Sequence, residues 1–214
     1  GKTTLARVLA GGLTPQAGTL RLDGSDYSAR GGDDLAHHIG YLPQAPTLFA
    51  GTIKENISRF QAAALNETLA LDLRAVAAAK AAGIHEMVQR FPKGYDTLLG
   101  YGGEGVSAGQ AQRIALARAL FDDPILLVLD EPNASLDQEG ELALLNAMTS
   151  ASRRGAAIVV VAHRAGLLAR MDDLLVLKDG AVLAFGPRAD VLARMQQGAA
   201  EPVEKADARE AVSV

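Results

Sequence analysis

The chain has 214 residues, of which 49% are hydrophobic and 21% are charged, a composition typical of a globular protein of about one domain with a sizeable core. Its net charge of -4 argues against nucleic acid as a partner, because phosphate-dominated binding needs a basic surface. Cysteine is absent, which excludes disulfide scaffolds, zinc–thiolate sites and cysteine nucleophiles. The apolar runs are shorter than the ~18 residues that span a bilayer.

Short elements are predicted in the first 60 residues: a helix through Leu5, Val8 and Leu9, which have helical spacing, strands at 19–22 and 39–42, and a helix at 52–60. Asp23-Gly24 is a turn signal that closes the first of these strands. Thr52 and Glu55 have the spacing of a capping box, in which the side chain of each residue bonds the backbone of the other.

Helices dominate the middle of the chain. An Ala- and Leu-rich helix is predicted from Asn66 to about Arg90, and a glycine-rich loop at 100–105 follows it. The next helix begins near Ser107 and runs to Leu120.

The last third alternates between apolar runs and helices. The predicted elements are strands at 125–129 and 157–161, a helix at 138–152 between them, a hairpin turning at Asp179-Gly180, and a helix from Pro187 to about Gln196. Apolar runs of this length, separated by helices, are typical of central strands in a parallel sheet that is covered on both faces. The sequence predicts an α/β domain over 1–196, with a core at 1–60 and 120–196, a helical insertion at 62–120, and a disordered tail at 197–214.

The chain begins with Gly1-Lys2-Thr3-Thr4, the sequence that ends a P-loop. Glycine lets backbone N–H groups approach phosphate oxygens, lysine reaches the β- and γ-phosphates, and the threonine hydroxyl can bind Mg²⁺. Taken alone, an N-terminus of arbitrary sequence explains these residues equally well. Because the chain begins with Gly1 rather than Met, we expect it to be a fragment truncated within this loop.

Two adjacent acids, Asp130 and Glu131, end the apolar run at 125–129. Open α/β sheets bind ligands at the carboxyl ends of their strands. Adjacent side chains on a strand diverge, so we expect Asp130 to hold Mg²⁺ and Glu131 to polarise an attacking water. The alternative is a strand that simply ends in two solvated acids.

The run Val106-Ser107-Ala108-Gly109-Gln110 precedes the helix to Leu120. A role as helix N-cap would explain Ser107, but it leaves Gly109 unexplained, since glycine is unfavourable in a first turn. Close approach of another molecule to the backbone would explain it. This run resembles the signature motif of the ATP-binding-cassette (ABC) ATPases.

Three further residues match that family in its own order along the chain. Gln44 resembles the Q-loop glutamine, Asp137 the D-loop aspartate, and His163 the switch histidine. The resemblance covers about residues 1–196 and implies a P-loop NTPase core, with a mainly parallel sheet and the ABC α-helical subdomain inserted.

The resemblance implies ATP and Mg²⁺ as cofactors and a head-to-tail dimer with a second cassette. It assigns catalysis to Glu131, His163 and Gln44, Mg²⁺ binding to Thr3, Gln44 and Asp130, and nucleotide binding to Gly1, Lys2, Thr3, Thr4, Gln44, Ser107, Gly109, Gln110, Asp130 and Asp137. Of these, Ser107 and Gly109 would act on the nucleotide of the other copy, and Asp137 would lie at the interface.

Ala108 stands where the family commonly has glycine. If that position needs φ > 0, alanine costs about 1 kcal/mol, and if it is helical, alanine stabilises it.

Local variants indicate the branch of the family. Residues 48–57, 94–97 and 103–105 resemble exporter cassettes, and residues 132–135 and 184–188 are most similar to type I secretion proteins. The implied protein powers protein export at the cytoplasmic face of the bacterial inner membrane. It is held there by a transmembrane domain missing from this chain and works with a periplasmic adaptor and an outer-membrane channel.

Alternatives are a lipid or drug exporter cassette, a nucleotide-binding module that does not hydrolyse ATP, and a soluble repair or translation protein. The short segment between Gln44 and Ser107 and the exporter-like loops disfavour the last.

Overall fold

The computed structural model describes residues 1–61, 68–163 and 165–196, which form two compact units. One unit is Gly32–Val160, and the other combines Gly1–Gly31 with the residues from Val161 onward. The tail predicted at 197–214 and the start of the helix predicted at Asn66 lie outside the described residues.

The helices are α1 (Lys2–Leu9), α2 (Gly32–His38), α3 (Ile53–Ile57), α4 (Thr68–Ala81), α5 (His85–Gln89), α6 (Ala108–Leu120), α7 (Gln138–Arg153), α8 (Ala165–Leu168) and α9 (Arg188–Gln196). The strands are β1 (Arg21–Leu22), β2 (Ser25–Asp26), β3 (Ile39–Leu42), β4 (Gly51–Thr52), β5 (Leu98–Leu99), β6 (Leu126–Asp130), β7 (Ala157–Val161), β8 (Asp173–Lys178) and β9 (Ala181–Pro187). Short 3-10 helices occupy Tyr27–Ala29, Gly94–Asp96 and Tyr101–Gly103. Across the described ranges, no helix combines the length and the apolar character needed to cross a bilayer.

A three-stranded sheet in the order β3-β6-β7 is the centre of the Gly32–Val160 unit. Strand β3 runs parallel to β6, from the pair Ile39–Leu126 to the pair Leu42–Leu129. All five residues of β6 are buried, as expected for a strand that is covered on both faces. The prediction of an α/β fold with a parallel sheet is confirmed, and it places the two acids at the carboxyl end of a buried strand.

Helices α3 and α4 pack against α6 in the same unit. The one helix predicted over this middle region is wrong, because α4 ends at Ala81 and α5 begins at His85. Gly83 lies between them with φ +68°, a left-handed conformation that ends the helix. A Cβ there would lie 2.8 Å from the Cβ of Ala143, so a close tertiary contact also requires glycine.

Two hairpins in the other unit confirm the predicted turns. Strands β8 and β9 pair antiparallel around Asp179-Gly180, whose φ angles are 49° and 81°. Strands β1 and β2 pair around Asp23-Gly24 in the same left-handed conformation. The later hairpin packs with α9 through buried Leu174, Ala184 and Val191.

Candidate functional site

The N-terminus of α6 begins with a complete capping box. The Ser107 hydroxyl oxygen accepts a hydrogen bond from the Gln110 backbone N–H at 3.2 Å, and the Gln110 side-chain oxygen accepts one from the Ser107 N–H at 2.8 Å. The predicted N-cap is confirmed. A hydroxyl oxygen that accepts from the helix can still donate its own proton to another group. The first turn carries no acidic residue, so the positive end of the helix dipole is exposed at Ser107.

Backbone geometry explains both residues that follow Ser107, which are Ala108 and Gly109. Ala108 is the first residue of α6 and has no positive φ, so alanine stabilises the helix there. A Cβ on Gly109 would lie 3.1 Å from the carbonyl oxygen of Ser135, tighter than an ordinary contact. The protein's own backbone therefore explains this glycine without a second molecule.

Asp130 is fully buried at the end of β6. Neither of its carboxylate oxygens has a hydrogen-bond partner within the part of the chain that the structure describes. A buried carboxylate is costly unless it is paired or binds a metal, so this group fits Mg²⁺ or a water bound to Mg²⁺. Among the described residues, no cluster of three or more His, Cys, Asp or Glu side chains could hold a metal. That is compatible with Mg²⁺, which commonly takes one or two carboxylates and completes its shell with water and substrate phosphates.

Glu131 differs from Asp130 in burial, in backbone conformation and in having a side-chain hydrogen-bond partner. Its side chain is half-buried, and its backbone has φ +48°, a conformation that is uncommon outside glycine. The Gln44 side-chain amide donates a hydrogen bond of 3.0 Å to the Glu131 carboxylate. The two acids therefore have different environments, and the side chains of Gln44 and Glu131 are in contact.

Asp137 is the N-cap of α7. Its carboxylate accepts a hydrogen bond from the Gly140 N–H at 2.8 Å and forms an ion pair with the Arg113 guanidinium. The Gly140 hydrogen bond, followed by the Arg113 side chain, holds the pKa of Asp137 below its ordinary value. Asp137 is thus engaged at the start of α7 by two groups of its own chain.

Arg113 and its neighbour Gln112 have structural roles that the sequence analysis missed. The Gln112 side chain is 2% exposed and donates to the Pro132 carbonyl oxygen at 3.0 Å. The other buried residues of α6 are apolar, so a polar residue on the buried face was the signal that could have identified it.

Lys2, Thr3 and Thr4 form the exposed first turn of α1, and Gly1 precedes them as N-cap. That end of the helix has no side-chain cap and no acidic residue, features that suit a bound anion. His163 is exposed two residues beyond the end of β7. These residues belong to the other compact unit, and their predicted roles stay predictions.

Comparisons with known proteins agree with one another. A family model described as "ABC transporter" matches residues 1–134. The chain is 49% identical over 195 residues to the "Type I secretion system ATP-binding protein PrsD" of Rhizobium meliloti, covering 91% of this chain and 32% of that protein. It is 36% identical over 199 residues to the "ABC multidrug transporter MDR1" of Cryptococcus neoformans, covering 90% and 14%.

A solved structure is similar over almost the whole chain. The structure of a bacterial Atm1-family ABC exporter with ATP bound superposes with a TM-score of 0.77 at 34% identity, covering 95% of this chain and 36% of that one. The chain spans about one third of the length of the type I secretion relative and a smaller share of the multidrug transporter.

Proposed function

This chain belongs to the ABC transporter family, and from that premise we propose that it is the ATP-hydrolysing cassette of an exporter that secretes proteins by the type I route. The observation that carries the proposal is the carboxyl end of β6, where buried Asp130 lacks a hydrogen-bond partner among the described residues and Glu131 is oriented by Gln44.

Glu131 is the general base of the proposed reaction. It polarises the water that attacks the terminal phosphate, and the Gln44 amide holds its carboxylate in place. Directly after β6 the Glu131 backbone has φ +48°, a sparsely populated conformation of the kind that clusters at functional sites. His163 is the third proposed catalytic residue, through its resemblance to the switch histidine.

Asp130 and Thr3 would hold Mg²⁺ together with Gln44. When bound, Mg²⁺ neutralises charge on the phosphate oxygens during transfer. Gly1, Lys2 and Thr4 bind the phosphates through the uncapped first turn of α1 and the lysine charge.

Ser107, Gly109 and Gln110 act on the nucleotide held by a second copy of the cassette. The exposed end of α6 supplies partial positive charge and a free hydroxyl donor, and it carries no acidic residue to repel a phosphate. Asp137, the N-cap of α7, would lie at the dimer interface.

The type I branch is supported by 49% identity with a type I secretion protein, against 36% with a multidrug transporter. The proposal includes a transmembrane domain on the complete polypeptide, a periplasmic adaptor, an outer-membrane channel and a position at the cytoplasmic face of the inner membrane. A drug exporter is the second candidate, since relatives of that kind match over nearly as much of the chain.

Replacing Glu131 by Gln in the complete polypeptide tests the catalytic proposal. Loss of water polarisation should lower ATP hydrolysis by ~10²-fold or more, while ATP binding is kept. Glu86→Gln, which changes an exposed glutamate in the first turn of α5, is the matched control and should hydrolyse ATP normally. Near-normal turnover in Glu131→Gln would remove Glu131 from this role, and a wild-type protein that binds ATP without hydrolysing it would support the non-hydrolysing alternative.

In cells, Glu131→Gln also distinguishes protein secretion from drug export. Loss of specific proteins from the culture medium, with unchanged drug sensitivity, would support protein secretion. Increased drug sensitivity with a normal set of secreted proteins would support the drug exporter.

A further inference from the structure

Residues 132–137, which we call the D-segment, connect Glu131 to the first residue of α7. Two backbone contacts fix the segment to α6. The Pro132 carbonyl accepts a buried hydrogen bond from the Gln112 side chain, and the Ser135 carbonyl lies against Gly109 so closely that a Cβ would meet it at 3.1 Å.

Arg113 makes a third contact, at the far end of the D-segment. Its side chain is 11% exposed and its guanidinium pairs with the Asp137 carboxylate, while Glu139 lies 3.9 Å away. A Cβ on Gly140 would be 3.0 Å from the Arg113 Nε, so the first turn of α7 leaves space for this guanidinium. The carboxylate that Arg113 holds is also the N-cap of α7.

These contacts connect Ser107, at the start of α6, with Glu131, which directly precedes the D-segment. Ser107 and Arg113 lie on one helix, and Pro132 is bonded directly to Glu131. We therefore expect a displacement of α6 to move Pro132, which is bonded to Glu131. The Glu131 carboxylate is in turn hydrogen-bonded to Gln44. Packed segments of this kind move together because close contacts transmit displacement.

We propose that Arg113 is a positioning residue, which with Gln112 binds the D-segment to α6 so that Ser107 and Glu131 move together. The inference rests on the proposed function, in which Ser107 contacts the nucleotide of one copy and Glu131 hydrolyses that of the other. Arg113 then couples the two nucleotide sites of the dimer, and closure of α6 over one nucleotide positions the glutamate for the second.

The chemistry of the contact requires arginine. A guanidinium is planar with donors in a fixed fork, so its terminal nitrogen can pair with Asp137 while its Nε lies beside Gly140. A lysine would keep the charge but present a single rotating ammonium group. We therefore expect lysine to restore the coupling only in part.

The test measures ATP hydrolysis as a function of ATP concentration in the complete polypeptide, in its membrane, with wild type alongside. Arg113→Met should lower the maximum rate about 10-fold, since a small misplacement of a catalytic group is costly. The half-saturating ATP concentration should change much less, and the Hill coefficient should fall toward that of independent sites. Arg113→Lys should recover part of the rate.

Arg154→Met is the matched control. It removes another arginine that pairs with an aspartate, Asp123 at 3.0 Å, at the end of α7 and away from the D-segment. Its rate and Hill coefficient should equal those of wild type. Arg113→Met with wild-type kinetics, in a protein that hydrolyses ATP normally, would overturn the inference alone. A wild type that does not hydrolyse ATP would overturn the proposed function instead.

Should Arg113→Met fail to fold in a thermal unfolding assay, Asp137→Asn decides the question. Asparagine is as good an N-cap as aspartate, so α7 keeps its cap while the ion pair is lost. The variant should show the same loss of rate and of cooperativity, and unchanged kinetics would overturn the inference. In a folded double variant, Arg113→Met should add little to Asp137→Asn, because both remove one interaction.

Discussion

Helices α3 and α6 begin with the same capping box and differ in the residue that completes it. In α3 the partners are Thr52 and Glu55, and in α6 they are Ser107 and Gln110. In both, the first residue accepts from a backbone N–H, and the second accepts from the N-cap N–H at 2.6 Å and 2.8 Å respectively. The local geometry of the two helix starts is therefore alike.

The charge at the two helix starts is different. The Glu55 carboxylate neutralises the positive end of α3 within the chain itself, and its pKa is lowered, chiefly by the Thr52 N–H and then by the Thr52 hydroxyl. The Gln110 amide satisfies the same donor without adding charge, so α6 keeps its positive end. The neutral capping box of α6 leaves a helix start that can bind an anion. In α3 the Glu55 carboxylate already supplies the negative charge, so no external anion is needed.

The difference between the starts of α6 and α3 predicts its largest effect for Ser107→Arg, measured as ATP hydrolysis. The bulky cation fills the space in front of α6, so the helix can no longer close over a phosphate. ATP hydrolysis by the complete polypeptide should fall by ~10²-fold or more, with ATP binding retained. Thr52→Ala is the control in α3 and should lower the free energy of unfolding by about 1 kcal/mol while hydrolysis stays normal. Loss of ATP binding in Ser107→Arg would show that Ser107 does not act on the nucleotide of another copy.

Substituting Gln110 by Glu should give an intermediate effect, since it converts the neutral box into a charged one like that of α3. Glutamate keeps the hydrogen bond to the Ser107 N–H, so the melting temperature should be unchanged or higher. The added charge repels a phosphate at the helix start, at a cost of ~1–2 kcal/mol, which predicts about a 10-fold loss of ATP hydrolysis.

Gln110→Ala separates the cap from the charge, because it removes the hydrogen bond without adding a carboxylate. It should lower the melting temperature, whereas Gln110→Glu should not. Full activity in Gln110→Glu would show that no anion approaches the start of α6, and the contrast with α3 would then be structural only.

Features that depend on neighbours in sequence could be predicted from the sequence. The box at Thr52, the turn at Asp179-Gly180 and the buried strand β6 follow from local spacing and apolar runs, and the structure confirms them. The break at Gly83 was missed because glycine is tolerated within a predicted helix, whereas its contact with Ala143 arises only in the fold.

The candidate site divides in the same way. Asp130 and Glu131 could be identified from the strand that precedes them, and the family resemblance supplied Gln44. The tie between α6 and the D-segment could not be predicted, because Arg113 and Gln112 find their partners 24 and 20 residues later. Gly109 is the clearest case of a feature that the sequence could not explain. Glycine in a first helical turn indicated the approach of a second molecule, whereas the structure places the Ser135 carbonyl of the same chain beside it.

Acid should reveal the charged box of α3, and this is the smallest effect that we predict. Folding lowers the pKa of Glu55 below its ordinary value of 4.5, so the unfolded chain binds its proton first as the pH falls. The stabilisation is therefore complete above that value and is lost as the pH falls through the pKa of the folded state. Glu55→Gln keeps an oxygen to accept from Thr52 but cannot titrate, and the other acids titrate alike in both proteins.

The measurement compares the free energy of unfolding of wild type and Glu55→Gln between pH 7 and about pH 3. At pH 7 wild type should be more stable by about 0.3–1 kcal/mol, the usual contribution of a carboxylate at a helix start, and the difference should shrink in acid. In the α6 box the roles are exchanged: Gln110→Glu should be at least as stable as wild type at pH 7, and any advantage it has should shrink over the same range of pH. A constant difference at Glu55 would mean that its charge does not stabilise α3, and the two boxes would then differ in sequence but not in physics.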